Sequence, residues 1–248
     1  EINYCVEFFS VDARMDPFDV YQQLITRSPN PLSGLYRLQD QWLICASPER
    51  FLKKKKNRLV SQPIKGTLSR SGTDAESLCA EQQLLANSNK DRAENVMVVD
   101  LVRNDLSRIC REGSVQVDEL FGIYSFAQVH QMISTVSGIV DEWVSITDIL
   151  KATFPMGSMT GAPKVRVMQL IDHYEKTARG IFSGALGYIK PDGDFDFNVV
   201  IRSLMYNMHT RYLSYKVGSG ITIYSNPEQE WEECLLKARA IESVLEGR

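Results

Sequence analysis

The side chains with most chemistry to offer are a lysine, two carboxylate pairs and a histidine. Lys65 stands in Pro63-Ile64-Lys65-Gly66-Thr67, at the end of an expected strand. A neutral lysine amine is a nucleophile. The glycine after it has no side chain, so backbone and ligand can approach closely there. The bland alternative is a solvated lysine in a loop. Asp91 and Glu94 are three residues apart, as are Glu230 and Glu233, with Lys237 four beyond. Offsets of three, four and seven share one face of a helix. Two such helices suit a hard divalent cation, since magnesium takes oxygen ligands and bridges one or two carboxylates to an anionic substrate. For the later pair, a solvated acidic face with a Glu-to-Lys contact is the competing reading.

The elements that must hold these groups come in mixed blocks. Residues 2–9 read as a strand and 17–28 as a helix ending before Pro29-Asn30-Pro31. Residues 34–38 and 42–46 alternate around Gln39-Asp40 as a hairpin, and 58–62 form a strand ending at Pro63. Residues 75–109 read as helix interrupted near 87–89, with Ser88 capping the second part and Asp91 as its capping-box partner. Val96, Val99, Val102 and Leu106 are that helix's expected buried side. A strand over 129–140, a short helix over 145–154 and a turn over 157–163 follow. A helix over 163–175 starts with a proline, a favoured early position. Three strands (183–190, 195–206, 212–223) precede a long helix from about 227. Its expected core face is Trp231, Leu235, Ala238, Ile241 and Leu245. Without strict βαβ alternation, the pattern predicts an α+β fold with antiparallel sheets.

Composition narrows the class. The 248 residues suffice for one large domain or two small ones. With 44% hydrophobic and 24% charged residues the chain reads as globular, and no long apolar run predicts a membrane span. Lys53 to Lys56 is one short basic cluster rather than a stripe, which argues for a hairpin edge and against nucleic acid. The five cysteines are odd in number and none are at CxxC spacing, which argues against zinc and a disulfide framework and for a cytoplasmic location. The chain begins at Glu1 in strand-like residues, so an N-terminal part of the full protein is expected to be missing.

Nine short runs, in order, resemble the chorismate-binding enzymes. They are Ser47-Pro48-Glu49-Arg50-Phe51, the Pro63–Thr67 run, Lys90-Asp91-Arg92-Ala93-Glu94 and Asp100–Leu106 (DLVRNDL). Then come Gly157–Lys164 (GSMTGAPK), Arg179–Gly184 (RGIFSG), Ile201-Arg202-Ser203, Gly218–Ile221 and Glu230–Glu233 with Lys237. One such run is weak, whereas nine in order are specific. The lysine in Pro63–Thr67 resembles the aminodeoxychorismate synthase component I branch; anthranilate synthases usually carry alanine there. GSMTGAPK lacks the spacing and the Gly-Lys-Ser/Thr of a Walker motif, so ATP is not its expected ligand.

The resemblance implies a four-layer α/β/β/α sandwich with two largely antiparallel sheets, and one catalytic domain over residues 1–248. It implies magnesium on Glu94 and Glu233, with Asp91 and Glu230 supporting the metal site. Arg202 and the glycines around Gly218 and Gly220 would bind substrate carboxylate. Lys237 belongs to the same C-terminal motif and counts with the substrate-binding set. Thr160 would line the pocket, and His130 would lie near the reacting ring, although a lone strand histidine is more often a satisfied core group. Three departures stand out. Phe182 replaces a tyrosine and loses its hydroxyl, and Ser203 replaces a threonine. Glu1 stands where isochorismate and salicylate relatives carry a lysine base, which disfavours their addition of water. The family's tryptophan-binding N-terminal domain lies outside these residues.

The implied reaction is amination of chorismate at C4 to 4-amino-4-deoxychorismate, toward p-aminobenzoate and folate. Ammonia would come from a glutamine amidotransferase subunit or domain. Glu49 is the candidate general acid for the C4 hydroxyl and Lys65 the nucleophile at C2. The alternatives are an anthranilate synthase component I-like enzyme and a truncated, non-catalytic chorismate-binding module.

Overall fold

The computed structural model describes residues 1–126 and 129–246. The first half carries β1 (Ile2–Ser10), α1 (Pro17–Arg27), β2 (Leu32–Leu38), β3 (Gln41–Ser47), β4 (Arg50–Lys55), β5 (Arg58–Gln62), β6 (Ile64–Ser69), α2 (Ala75–Ala86) and α3 (Asn89–Ser107). After them come β7 (Gln116–Ser125), β8 (Val129–Ile139), α4 (Ile146–Thr153), α5 (Lys164–Tyr174), β9 (Ala185–Ile189), β10 (Phe195–Val199), β11 (Ser203–Asn207), β12 (Tyr212–Ile221) and α6 (Pro227–Glu246). The chain divides into two compact units. One comprises Glu1–Pro48, Met159–Leu186 and Asn198–Arg248; the other comprises Glu49–Ser158 and Gly187–Phe197. The expected α+β class with antiparallel sheets is what forms.

In the first unit the strands lie in the order β1-β12-β11-β3-β2, all antiparallel to their neighbours. Leu213, Tyr215 and Val217 alternate along β12 and join Val20 and Leu24 of α1 and Ala238 and Ile241 of α6 in one core. The buried stripe of α6 is Glu230, Cys234, Ala238, Ile241 and Val244. It is rotated from the apolar face the sequence predicts. Trp231 remains 47% exposed and stacks against Phe8, with ring centroids 6.1 Å apart. A large ring is accommodated at the margin, while the small Cys234 and Ala238 let the helix approach the sheet.

A buried ion pair staples this unit. Arg179 meets Glu175 at 2.6 Å, donates to the carbonyls of Met159 (2.6 Å) and Asn3 (2.7 Å), and reaches Ser183 (3.1 Å). Glu175 also accepts from the Cys5 amide at 3.0 Å. Burial pushes the Cys5 thiol up to about 12, so it stays a neutral packing group. Removing one partner of a buried pair strands the other, a loss of about 3–5 kcal/mol. Arg179→Ala is therefore expected to lower unfolding stability by that order, read from urea midpoints.

The second unit is built on β8. β7 runs along one edge of β8; β5 and β6 lie end to end along the other, all antiparallel to it. The sheet continues through β4, β10 and β9. α2 and α3 pack on β8, and α4 packs on α3. The buried side of α3 is Asn95, Val98, Val99, Val102, Asp105 and Leu106. Val96, expected there, is 40% exposed. Ser88 caps α3 through the Asp91 amide at 3.3 Å; the reciprocal capping box forms instead at α2, between Asp74 and Ser77.

Three elements depart from the sequence pattern, the first being β6, since no strand is expected between Pro63 and the helix over 75–109. The expected strand over 195–206 is two strands: β10 ends at Val199, and β11 starts at Ser203 in the other sheet. Arg202, between them, has φ +52°. β7 has no counterpart in the expected elements. Asp118 and Glu119 interrupt its alternation, and two register shifts break its ladder. Pro163 is the N-cap of α5 rather than its first helical residue. Among the described residues, no helix is long and apolar enough to cross a membrane.

Candidate active site

Lys65 sits on a β-bulge near the start of β6, rather than in a loop at a strand's end. Ile64 faces Ile133 and Thr67 faces Gln131, so β6 takes three steps where β8 takes two. The extra residue falls at Lys65-Gly66. Bulges re-aim a side chain, and Gly66, at φ +97°, supplies the turn. Gly66 has a second reason to be glycine: a Cβ there would stand 3.0 Å from the Cβ of Asp91. Its bareness makes room for the first turn of α3. The Lys65 Nζ then lies 3.8 Å from the Glu94 carboxylate, with the two side chains only 11% and 13% exposed. Lys90 approaches the same carboxylate at 4.0 Å.

Glu49 is 4% exposed, immediately before β4. Arg50 faces Gln62, so Glu49 and Pro63 lie at the open end of the β4–β5 hairpin, where the chain runs on into β6. A Glu49–Arg50 pair does not account for the acid. Arg50 directs its guanidinium to Asp196 (2.8 and 3.2 Å) and Gln62 (2.5 Å). His130 lies farther along β8, opposite Leu68. Both of its ring nitrogens are engaged, Nδ1 with Ser125 at 2.8 Å and Nε2 with Glu81 at 3.2 Å. Glu81 in turn accepts from Ser71 and the Gly72 amide. The second unit thus brings Lys65, Glu94 and Asp91 together, and holds His130 farther along β8 through Ser125 and Glu81.

The remaining candidates gather in the first unit where β12 meets α6. Lys237 pairs with Glu233 at 2.7 Å and donates to the Gly218 carbonyl at 2.8 Å. Arg202 donates to the Lys237 carbonyl at 2.9 Å. Burial pulls the Arg202 guanidinium down to about 10, with the Glu233 carboxylate acting in the opposite sense. Glu230 is buried and accepts a bond from Ser219. Gly220 faces Asn3, whose amide and side chain both donate to the Thr160 carbonyl (2.8 and 3.4 Å). Gly161 carries φ +130°, and a Cβ there would collide with the Glu1 carbonyl. The GSMTGAPK loop is therefore pinned against β1 rather than shaped around a phosphate.

The carboxylates present only oxygen donors, the set magnesium prefers. Among the described residues no three His, Cys, Asp or Glu side chains converge as a metal cluster. Such a donor set suits an ion that takes one or two carboxylates and completes its shell with water and substrate. Sequence reasoning passed over Asn3, Glu81, Asn95 and Arg179. The signal for Asn95 was present: a polar residue on the apolar stripe of a helix must find partners when buried.

Residues 1–243 match the family described as chorismate binding enzyme. The chain is 42% identical over 228 residues to "Aminodeoxychorismate synthase, chloroplastic" of Arabidopsis thaliana, covering 91% of this chain and 24% of that protein. It is 39% identical over 243 residues to "Anthranilate synthase component 1" of Mycolicibacterium smegmatis, covering 96% of this chain and 46% of that one. The crystal structure of anthranilate synthase component I from Streptococcus pneumoniae TIGR4 superposes with a TM-score of 0.84 at 32% identity, over 96% of this chain and 52% of that chain. The chain thus spans from about a quarter to about half the length of these relatives. With a match from Glu1 to residue 243, the chain belongs to the family of chorismate binding enzymes.

Proposed function

We propose that this chain carries the chorismate-aminating chemistry of an aminodeoxychorismate synthase, giving 4-amino-4-deoxychorismate for p-aminobenzoate and folate synthesis. The observation that carries the reading is Lys65, set on a bulge with its amine 3.8 Å from Glu94. Similarity to relatives named aminodeoxychorismate synthase supports it. Glu49 protonates the departing C4 hydroxyl. The neutral amine of Lys65 adds at C2 as that C–O bond breaks. Ammonia then adds at C4 and expels the lysine, dividing one difficult substitution into two steps. Arg202 and the Gly218–Gly220 segment hold substrate carboxylate, with Thr160 and Lys237 beside them, and His130 lies near the reacting ring. Magnesium on Glu94 and Glu233, supported by Asp91 and Glu230, would hold the ring carboxylate and withdraw electron density when bound.

A glutamine amidotransferase subunit or domain supplies the ammonia in this reading. The cytoplasmic location rests on five cysteines, all free. The second reading is an anthranilate synthase, favoured by relatives of that name at similar identity. Incubating the chain with chorismate, magnesium and an ammonium salt separates the readings by chromatography. Aminodeoxychorismate is the expected product. Anthranilate would move the chain to the second reading, and no turnover would leave a non-catalytic binding module.

A further inference from the structure

A bulge breaks a sheet's ladder and leaves carbonyls that need donors from elsewhere. At the Lys65 bulge one buried side chain supplies them. Asn95 of α3 is 1% exposed and donates through Nδ2 to the carbonyls of both Lys65 and Met132, each at 3.4 Å. Its Oδ1 accepts the Ser134 hydroxyl at 2.5 Å. That hydroxyl oxygen accepts the Phe121 amide at 3.1 Å, where β7 is itself irregular and Phe121 has φ +60°. One amide, with two N–H donors and an acceptor, therefore ties together the irregular points on both edges of β8. Asn95 directly follows Glu94 in α3, so the same helical turn sets the bulge and presents the carboxylate facing Lys65.

We propose that Asn95 is a positioning residue: it locks the β6 bulge and thereby holds the Lys65 amine in its attacking place. The proposal rests on reading Lys65 as the nucleophile. Leucine matches the size of asparagine but donates nothing, so Asn95→Leu frees the Lys65 carbonyl and lets the bulge relax.

The test combines steady-state kinetics on chorismate, magnesium and ammonium with competitive acetylation of lysines at a single pH in magnesium-containing buffer, read by peptide mass spectrometry. The acetylation needs no substrate and reports the surroundings of the Lys65 amine directly. A misplacement on the order of 1 Å costs about 10²-fold in rate. Asn95→Leu is thus expected to lose about that factor in kcat with far less change in KM. The Lys65 acetylation rate should shift while those of surface lysines such as Lys190 stay fixed. A folded Asn95→Leu with unchanged Lys65 acetylation overturns the proposal, whether or not kcat falls. If Asn95→Leu does not fold, Ser134→Ala decides: it removes only the hydroxyl that orients Asn95, and an unshifted Lys65 rate overturns the idea. If the wild type turns over without a Lys65 adduct, the nucleophile reading falls, while the acetylation rates still decide whether Asn95 positions the amine.

Discussion

Lys65→Ala is expected to lose C4 amination by on the order of 10³–10⁶-fold, from the upper range of acid–base assistance to full loss of a nucleophile. The protein should stay folded, because the bulge is held by its carbonyls and by Asn95 rather than by the lysine side chain. Lys65→Met is the companion variant, since it keeps the buried stem and removes only the amine. Wild type with chorismate and magnesium, but no ammonia, should gain an adduct visible by intact-protein mass spectrometry. Digestion should map it to Lys65, and both variants should lack it. If ammonia can attack C2 directly in Lys65→Ala, the residual product would be anthranilate-like. Full turnover by wild type without an adduct, even on rapid quench, would reduce Lys65 to an electrostatic role.

Glu49→Gln should retain chorismate binding and lose about 10²–10⁴-fold in kcat, the usual contribution of a general acid. The amide keeps the shape of the acid but cannot protonate the leaving oxygen. Glu49 is buried at the open end of the β4–β5 hairpin, and Arg50 is committed to Asp196 and Gln62. The substitution therefore leaves the Arg50 contacts intact, and thermal unfolding should confirm an unchanged fold. A wild-type kcat would remove Glu49 from the mechanism. A large rise in KM at constant kcat would recast it as a binding group.

Most of the elements were legible in the sequence because their signals are local. The Gln39-Asp40 turn, the Lys53–Lys56 hairpin edge, the Ser88 cap and the break before Pro29 follow from backbone preferences of a few residues. The mixed order of strands and helices was enough to choose antiparallel sheets. Ordered motifs also fixed the family. What the tertiary structure decided depends on pairings distant in the chain. Strand 195–206 divides because its two halves join different sheets, which no period within the segment records. β7 exists because β8 offers it an edge, despite the acids that spoil its own pattern. The stripe of α3 turned toward Asn95 because the bulge opposite needed a donor, a demand set 30 residues away at Lys65. Gly66 is the plainest case. Its place beside Lys65 was visible from the start, but its reason, the close approach of Asp91, exists only once helix and strand are packed together.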